Sequence, residues 1–206
     1  MLPLIPPIEF DGFDHHRQLG LKWLAKKGGK PTQDEWRYGA VFWKPACLEL
    51  YTYFRGICNY SCLWISRGTG SRSVEHFISR DKDASLAFEW SNFRFVCGTL
   101  NGSKSSFEDV LDPFSIGPDW FHINFKTLRL HPNATLPPDI QDLCEQTIQR
   151  LKLNDDEWIE GRSHWIEQYC SHGPASFPIL RRHAPHVAIE LMRQGLVDTI
   201  CSKYIV

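Results

Sequence analysis

Helical hydrophobic periodicity stops near residue 57 and resumes after residue 125, and this double change constrains the fold more than any other feature of the chain. Between those points, cysteines, short apolar runs and Gly-rich turns take over. A helix needs apolar residues at a spacing near 3.6, a half-buried strand at 2, and one segment cannot serve both. The pattern therefore predicts an α+β protein in three regions. These are an N-terminal helical region (1–56), a central core (57–125) and a C-terminal helical region (126–206).

In the first region, HHRQLGLKWLAKKGG places Leu19, Trp23 and Leu24 at helical positions and ends in Gly-Gly with Pro31 beyond. The next segment opens with Thr32 as a cap and acids at Asp34 and Glu35, which favour a helix N-terminus. Pro45 divides it, giving a separate helix from Ala46 to Phe54. In the centre, SRSVEHF and NFRFV are the most strand-like runs, CGTLNGSK starts a short helix, and LDPFSIGPDWFHINF is a loop that becomes extended. In the last region, Ile140, Leu143, Cys144, Ile148 and Leu151 share a helical face. Asn154 is cap-like before a helix carrying Trp158, Trp165, Ile166 and Tyr169, and APHVAIELMRQGL forms a final helix with Pro185 in its first turn.

No apolar run approaches the roughly 20 residues that cross a bilayer. The opening MLPLIPPIEFDGFD has prolines where a secretion signal needs an apolar helix. The expectation is a cytoplasmic protein with no membrane association, whose seven cysteines are buried or metal-bound thiols rather than disulfides. Net charge is −1, so nothing global attracts nucleic acid. Charge is uneven, however: residues 14–37 hold six Lys/Arg against three acids, and residues 139–206 seven against ten. A nucleic-acid binder of this balance needs a local basic face or a basic partner.

The residues that carry chemistry lie in one stretch. In order they are Cys58-x3-Cys62, Glu75-His76, Asn92, and Cys97-x3-Asn101-x2-Lys104. Phosphodiester hydrolysis needs a base for water and a cation for the charge that develops on phosphorus and the leaving oxygen. A neutral histidine is the natural base near pH 7. Adjacent strand residues point to opposite faces, so Glu75 and His76 reach one site only where a strand ends or bulges, and FISRDKDAS allows that ending.

This order resembles HNH nucleases, whose core is two strands and a helix around one divalent metal, the ββα-metal fold. The resemblance covers residues 58–104, most strongly 74–104. It implies an HNH core embedded between N- and C-terminal helices. It also implies Glu75 as the first metal ligand, His76 as general base and Asn101 as the second metal ligand. Asn92 would orient the histidine or brace its loop, and Lys104, one turn after Asn101, would contact a phosphate. Oxygen ligands favour Mg²⁺ or Mn²⁺. Related proteins carry a structural zinc on two Cys pairs. Here Cys58, Cys62 and Cys97 supply three candidate thiolates, and Leu100 stands where a fourth would be, short of the four that a structural zinc takes. The alternative for these cysteines is buried apolar packing.

A finer similarity, carried by GICNYSCLWISRGTGSRSVEHF, FEWSNFRFVCGTLNGSK, DVLDPF and WFHINF, is to HNH proteins of retron and Septu-type anti-phage systems. It implies a DNA endonuclease that works as a defence effector with an ATPase partner. Two alternatives stand beside it: an effector that cleaves RNA, transfer RNA included, and a non-catalytic subunit that binds nucleic acid or docks an ATPase. His15-His16, His164, His172 and Arg181-Arg182-His183 fit solvated faces better than a second site.

Overall fold

The computed structural model describes residues 1–39 and 42–204; Ala40 and Val41, inside the segment that Pro45 divides, lie outside the described residues. The chain forms two compact units, one of residues 5–56 and 66–108, the other of residues 1–4, 57–65 and 109–206. They cut the sequence differently from three consecutive regions. The N-terminal helices belong with the central strands, and the Cys58–Cys62 knuckle belongs with the C-terminal helices.

The first unit contains helices α1 (Phe13–Lys26), α2 (Gln33–Gly39) and α3 (Lys44–Tyr53), strands β1 (Arg72–His76) and β2 (Phe93–Cys97), and helix α4 (Gly98–Lys104). The start of α2 is a reciprocal capping box. Thr32 Oγ1 accepts from the Glu35 amide at 3.3 Å, and Glu35 Oε2 accepts from the Thr32 amide at 2.8 Å. Pro45 falls in the first turn of α3, where its missing N–H costs no helical bond. Leu24, Trp36, Ala87 and Phe88 form a core cluster, with Trp23 and Trp43 packed on it. Gly20 lets α1 close on that core, because a Cβ there would lie 2.5 Å from the Phe88 ring.

β1 and β2 pair antiparallel with Val74 opposite Phe95, Glu75 opposite Arg94 and His76 opposite Phe93. Alternation gives β1 two faces. Arg72 lies over the Tyr51 ring of α3 at 5.5 Å, and His76 packs edge-on against Trp43 at 5.0 Å. Ser73 and Glu75 face the other way and meet α4 through Asn101 and Lys104. α4 follows β2 directly. The Gly98 amide donates to Ser71 O at 2.7 Å, and a Cβ at Gly98 would lie 2.4 Å from Ser71 Oγ, so a side chain there would require the Ser71 hydroxyl to move.

The second unit contains strands β3 (Phe121–Asn124) and β4 (Arg129–Pro132) and helices α5 (Pro138–Arg150), α6 (Asp156–His172), α7 (Phe177–His183), α8 (Pro185–Arg193) and α9 (Cys201–Tyr204). A two-stranded ribbon leaves both edges unpaired, which is costly when buried. Side chains close both edges here. Glu190 Oε2 accepts from the Ile123 amide at 2.9 Å, and Gln194 donates to Ile123 O at 2.8 Å. On β4, Asn154 accepts from the Leu130 amide at 2.7 Å and donates back to Leu130 O at 2.9 Å. Asn154 therefore does not cap α6, whose N-cap is Asp155. Cys170 of α6 and Cys201 of α9 form a disulfide with Cα atoms 5.0 Å apart, so the expectation of thiols throughout is corrected. Two helices place these cysteines side by side, which sequence spacing does not reveal. His15, His164, His172, Arg181 and Arg182 are exposed.

The α+β class expected from the sequence holds, with helices and two short antiparallel ribbons. Among the described residues no helix is long and apolar enough to cross a membrane.

Candidate active site

β1 ends at His76, which resolves the conflict between alternation and convergence. Glu75 and His76 line one cavity of about 710 Å³ together with Asn101 and Gly102 of α4 and Ser79, Arg80 and Asp81 of the loop after β1. Gln33 and Arg37 of α2 also line it, as do Gly98, Ser105 and Ser106. Three of the five residues predicted to form the site thus share a pocket, and the other two support it from behind.

His76 is buried and held on three sides. Trp43 and Phe93 pack edge-on against its ring, at 5.0 and 5.4 Å, and Nε2 lies 2.9 Å from Ala87 O. A carbonyl only accepts, so Nε2 carries the proton and donates, leaving Nδ1 with the lone pair. Burial lowers the His76 pKa to about 3; the nearby Arg80 charge adds to the shift, the Ala87 bond opposes it and Lys104 contributes further. The imidazole is neutral at physiological pH, the state that a base requires.

Asn92 ends a short 3-10 turn just before β2 and braces the loop after His76. Its Oδ1 accepts from the Ile78 amide at 2.7 Å, and its Nδ2 donates to Ile78 O at 3.0 Å and Leu86 O at 3.1 Å. Its backbone carbonyl accepts from the Phe77 amide at 2.9 Å. The two residues that follow His76 are thereby pinned, and the histidine with them.

Lys104 occupies a different place from the one expected. Its side chain is fully buried, with Nζ 2.7 Å from Glu75 Oε1, 2.8 Å from Phe77 O and 3.3 Å from His76 O. An ammonium has three donors, and these three acceptors engage them, so Lys104 supports Glu75 and the end of β1 instead of reaching a phosphate. The sequence places it correctly one turn after Asn101; it does not reveal that this turn of α4 lies beneath β1.

Asn101 Nδ2 donates to Ser73 Oγ at 2.7 Å. Ser73 and Glu75 share a face of β1, so this bond ties Asn101 to the same side of the strand, and Asn101 and Glu75 line the same cavity. A carboxylate and an amide in a polar cavity are a hard oxygen donor pair. They suit Mg²⁺ or Mn²⁺, which keeps several waters and takes few protein ligands. Among the described residues no group of three or more His, Cys, Asp or Glu is gathered around a point. The cysteines fit zinc less well. Cys58 and Cys62 are buried cysteines of the second unit that form no disulfide, while Cys97 belongs to the first. Burial pushes the Cys62 thiol pKa up, away from the thiolate that zinc binds. The knuckle is held by its backbone: the Cys58 amide donates to Leu63 O and the Cys62 amide to Cys58 O, both at 3.0 Å.

Arg80 is the residue that sequence reasoning missed. Its guanidinium lies 5.2 Å from the Trp36 ring centroid and 4.9 Å from that of Trp43, the indole that also packs on His76. Two tryptophans from separate helical segments form that seat, and only the fold brings them together. Neither a protein-family model nor a curated protein matches this chain.

Proposed function

We propose that the protein is a metal-dependent endonuclease of the HNH type that hydrolyses phosphodiester bonds, DNA being favoured over RNA. One observation carries the reading: Glu75, His76 and Asn101 line a single polar cavity, behind which Asn92 pins the loop after the histidine. The strand–strand–helix order of β1, β2 and α4 supports it.

Glu75 and Asn101 would hold the divalent cation. When bound, that ion would neutralise charge on the phosphate and on the departing oxygen. His76 accepts a proton from the attacking water through Nδ1, while the Nε2 bond to Ala87 fixes the ring. A phosphodiester anion beside the imidazole offsets the positive charge of Arg80 and Lys104, which raises its proton affinity when substrate is present. Lys104 fixes the Glu75 carboxylate from beneath. The similarity to anti-phage HNH proteins adds a defence role and an ATPase partner.

One feature favours a non-catalytic reading, in which the same fold binds nucleic acid or docks a partner. The Glu75 carboxylate already has a buried ammonium as counter-ion. The deciding experiment incubates the purified protein, with and without an ATPase encoded beside it, with DNA and RNA in Mg²⁺, Mn²⁺ or chelator. Cleavage that needs the cation and is lost in a folded His76→Ala variant supports the nuclease. Cleavage that persists in His76→Ala removes the histidine from the mechanism, and metal-independent nucleic-acid binding without cleavage under any condition favours the second reading.

A further inference from the structure

We infer that Arg80, seated on Trp36 and Trp43 at the wall of the His76 cavity, is a clamp for a nucleic-acid phosphate. The inference rests on the reading of that cavity as a phosphodiester site. Among the described residues no carboxylate lies within ion-pair distance of its guanidinium, although Glu75 and Asp81 line the same cavity. Glu75 is held by Lys104 and Asp81 is exposed to solvent. Burial lowers the pKa of Arg80, with Asp81 only partly opposing the shift. A partly desolvated cation without an ion pair is costly, and the structure offers it a cavity rather than an anion. The two indoles offset part of that cost by cation–π attraction. They also fix the plane of the guanidinium, so its donors are set in advance for a tetrahedral anion. Arg80 and His76 share Trp43 as a neighbour and line the same cavity, so an anion on the guanidinium would enter the cavity that holds the imidazole.

The test measures binding without hydrolysis. A short fluorescein-labelled DNA is titrated in excess chelator across a range of salt, and affinity is read by anisotropy. Arg80→Gln should weaken binding by about tenfold, as expected for loss of a charge-assisted contact. It should also reduce the slope of log affinity against log salt by about 0.9, the loss of one phosphate contact. Arg80→Lys should restore the slope and only part of the affinity, since an ammonium lacks the fork. On the wild-type chain, the same DNA should protect Arg80 from phenylglyoxal, read by peptide mapping, which keeps the test open if a variant fails to fold. An unchanged slope in a folded Arg80→Gln protein, or equal modification of Arg80 with and without DNA, overturns the clamp. If the slope shift holds while the wild type, with and without its ATPase partner, cleaves neither DNA nor RNA in Mg²⁺ or Mn²⁺, the clamp stands and the nuclease reading falls.

Discussion

Replacing Lys104 with methionine isolates the buried ion pair beneath the cavity. Methionine nearly conserves volume, so the substitution removes charge and hydrogen bonding with little loss of packing. Three contacts go with the ammonium: Glu75 Oε1 at 2.7 Å, Phe77 O at 2.8 Å and His76 O at 3.3 Å. Neither partner of the pair is solvent-screened, since Lys104 and Glu75 side chains are 0% and 2% exposed. Removing one member of a buried pair costs about 3–5 kcal/mol, because the other charge stays in a low-dielectric site. Exposed pairs give about 1 kcal/mol or less, so the two cases separate cleanly. The assay is urea unfolding at pH 7, comparing wild type, Lys104→Met, Glu75→Gln and the double variant. The single lysine variant should lose several kcal/mol. The double variant should be more stable than the sum of the two single losses predicts, because each single variant takes from the other buried group the same 2.7 Å contact. A Lys104→Met protein within about 1 kcal/mol of wild type, or a double variant with strictly additive losses, would refute the description of this pair as a buried, mutually dependent unit.

Acid sensitivity follows from two buried histidines, His76 with a pKa lowered to about 3 and His186 with a pKa lowered well below its ordinary value, both chiefly by burial. In the window between the folded and the ordinary values the unfolded chain binds the extra proton, so stability rises with pH and is lost as pH falls below about 6.5. His76 should cost about 2 kcal/mol between pH 7.5 and pH 5, and His186 should add to the loss in the same direction. His76→Gln should lessen that dependence in urea titrations, and an unaltered pH profile would count against the burial argument. Asn92→Ala removes three side-chain hydrogen bonds to the loop and should cost about 2–4 kcal/mol. It should also speed hydrogen exchange at the Ile78 amide, and retained protection there would show that the brace lies elsewhere.

Much of the first unit was legible in the sequence because its signals are local. Thr32 with Glu35 marks a helix start, Pro45 marks another, and two β-branched and aromatic runs give β1 and β2. Glu75, His76 and Asn101 line one cavity because residue spacing on a strand and a following helix carries over to space, while Asn92 braces the loop behind it. What escaped depends on pairs far apart in the chain. β4 is only four residues and ends at Pro132, too short to show a period, and its edge is closed by Asn154, which from sequence alone resembles a cap. Lys104 has the right spacing for a phosphate contact, yet burial gives it to Glu75. Arg80 has no motif, since its seat is made by Trp36 and Trp43, more than thirty residues earlier. The Cys170–Cys201 bridge joins cysteines thirty-one residues apart in the sequence, and its geometry exists only after their helices pack.

The way the chain is divided bears on the order in which it matures. All of the unit that contains the cavity has left the ribosome once Glu108 has emerged, so its strands and helices have every partner they need while translation continues. The knuckle at 57–65 is made early but belongs with residues synthesised later, from 109 onward, and it must wait for their helices. A product ending near residue 108 would therefore contain every residue that lines the cavity, alongside a cysteine-bearing turn cut off from the residues it packs with.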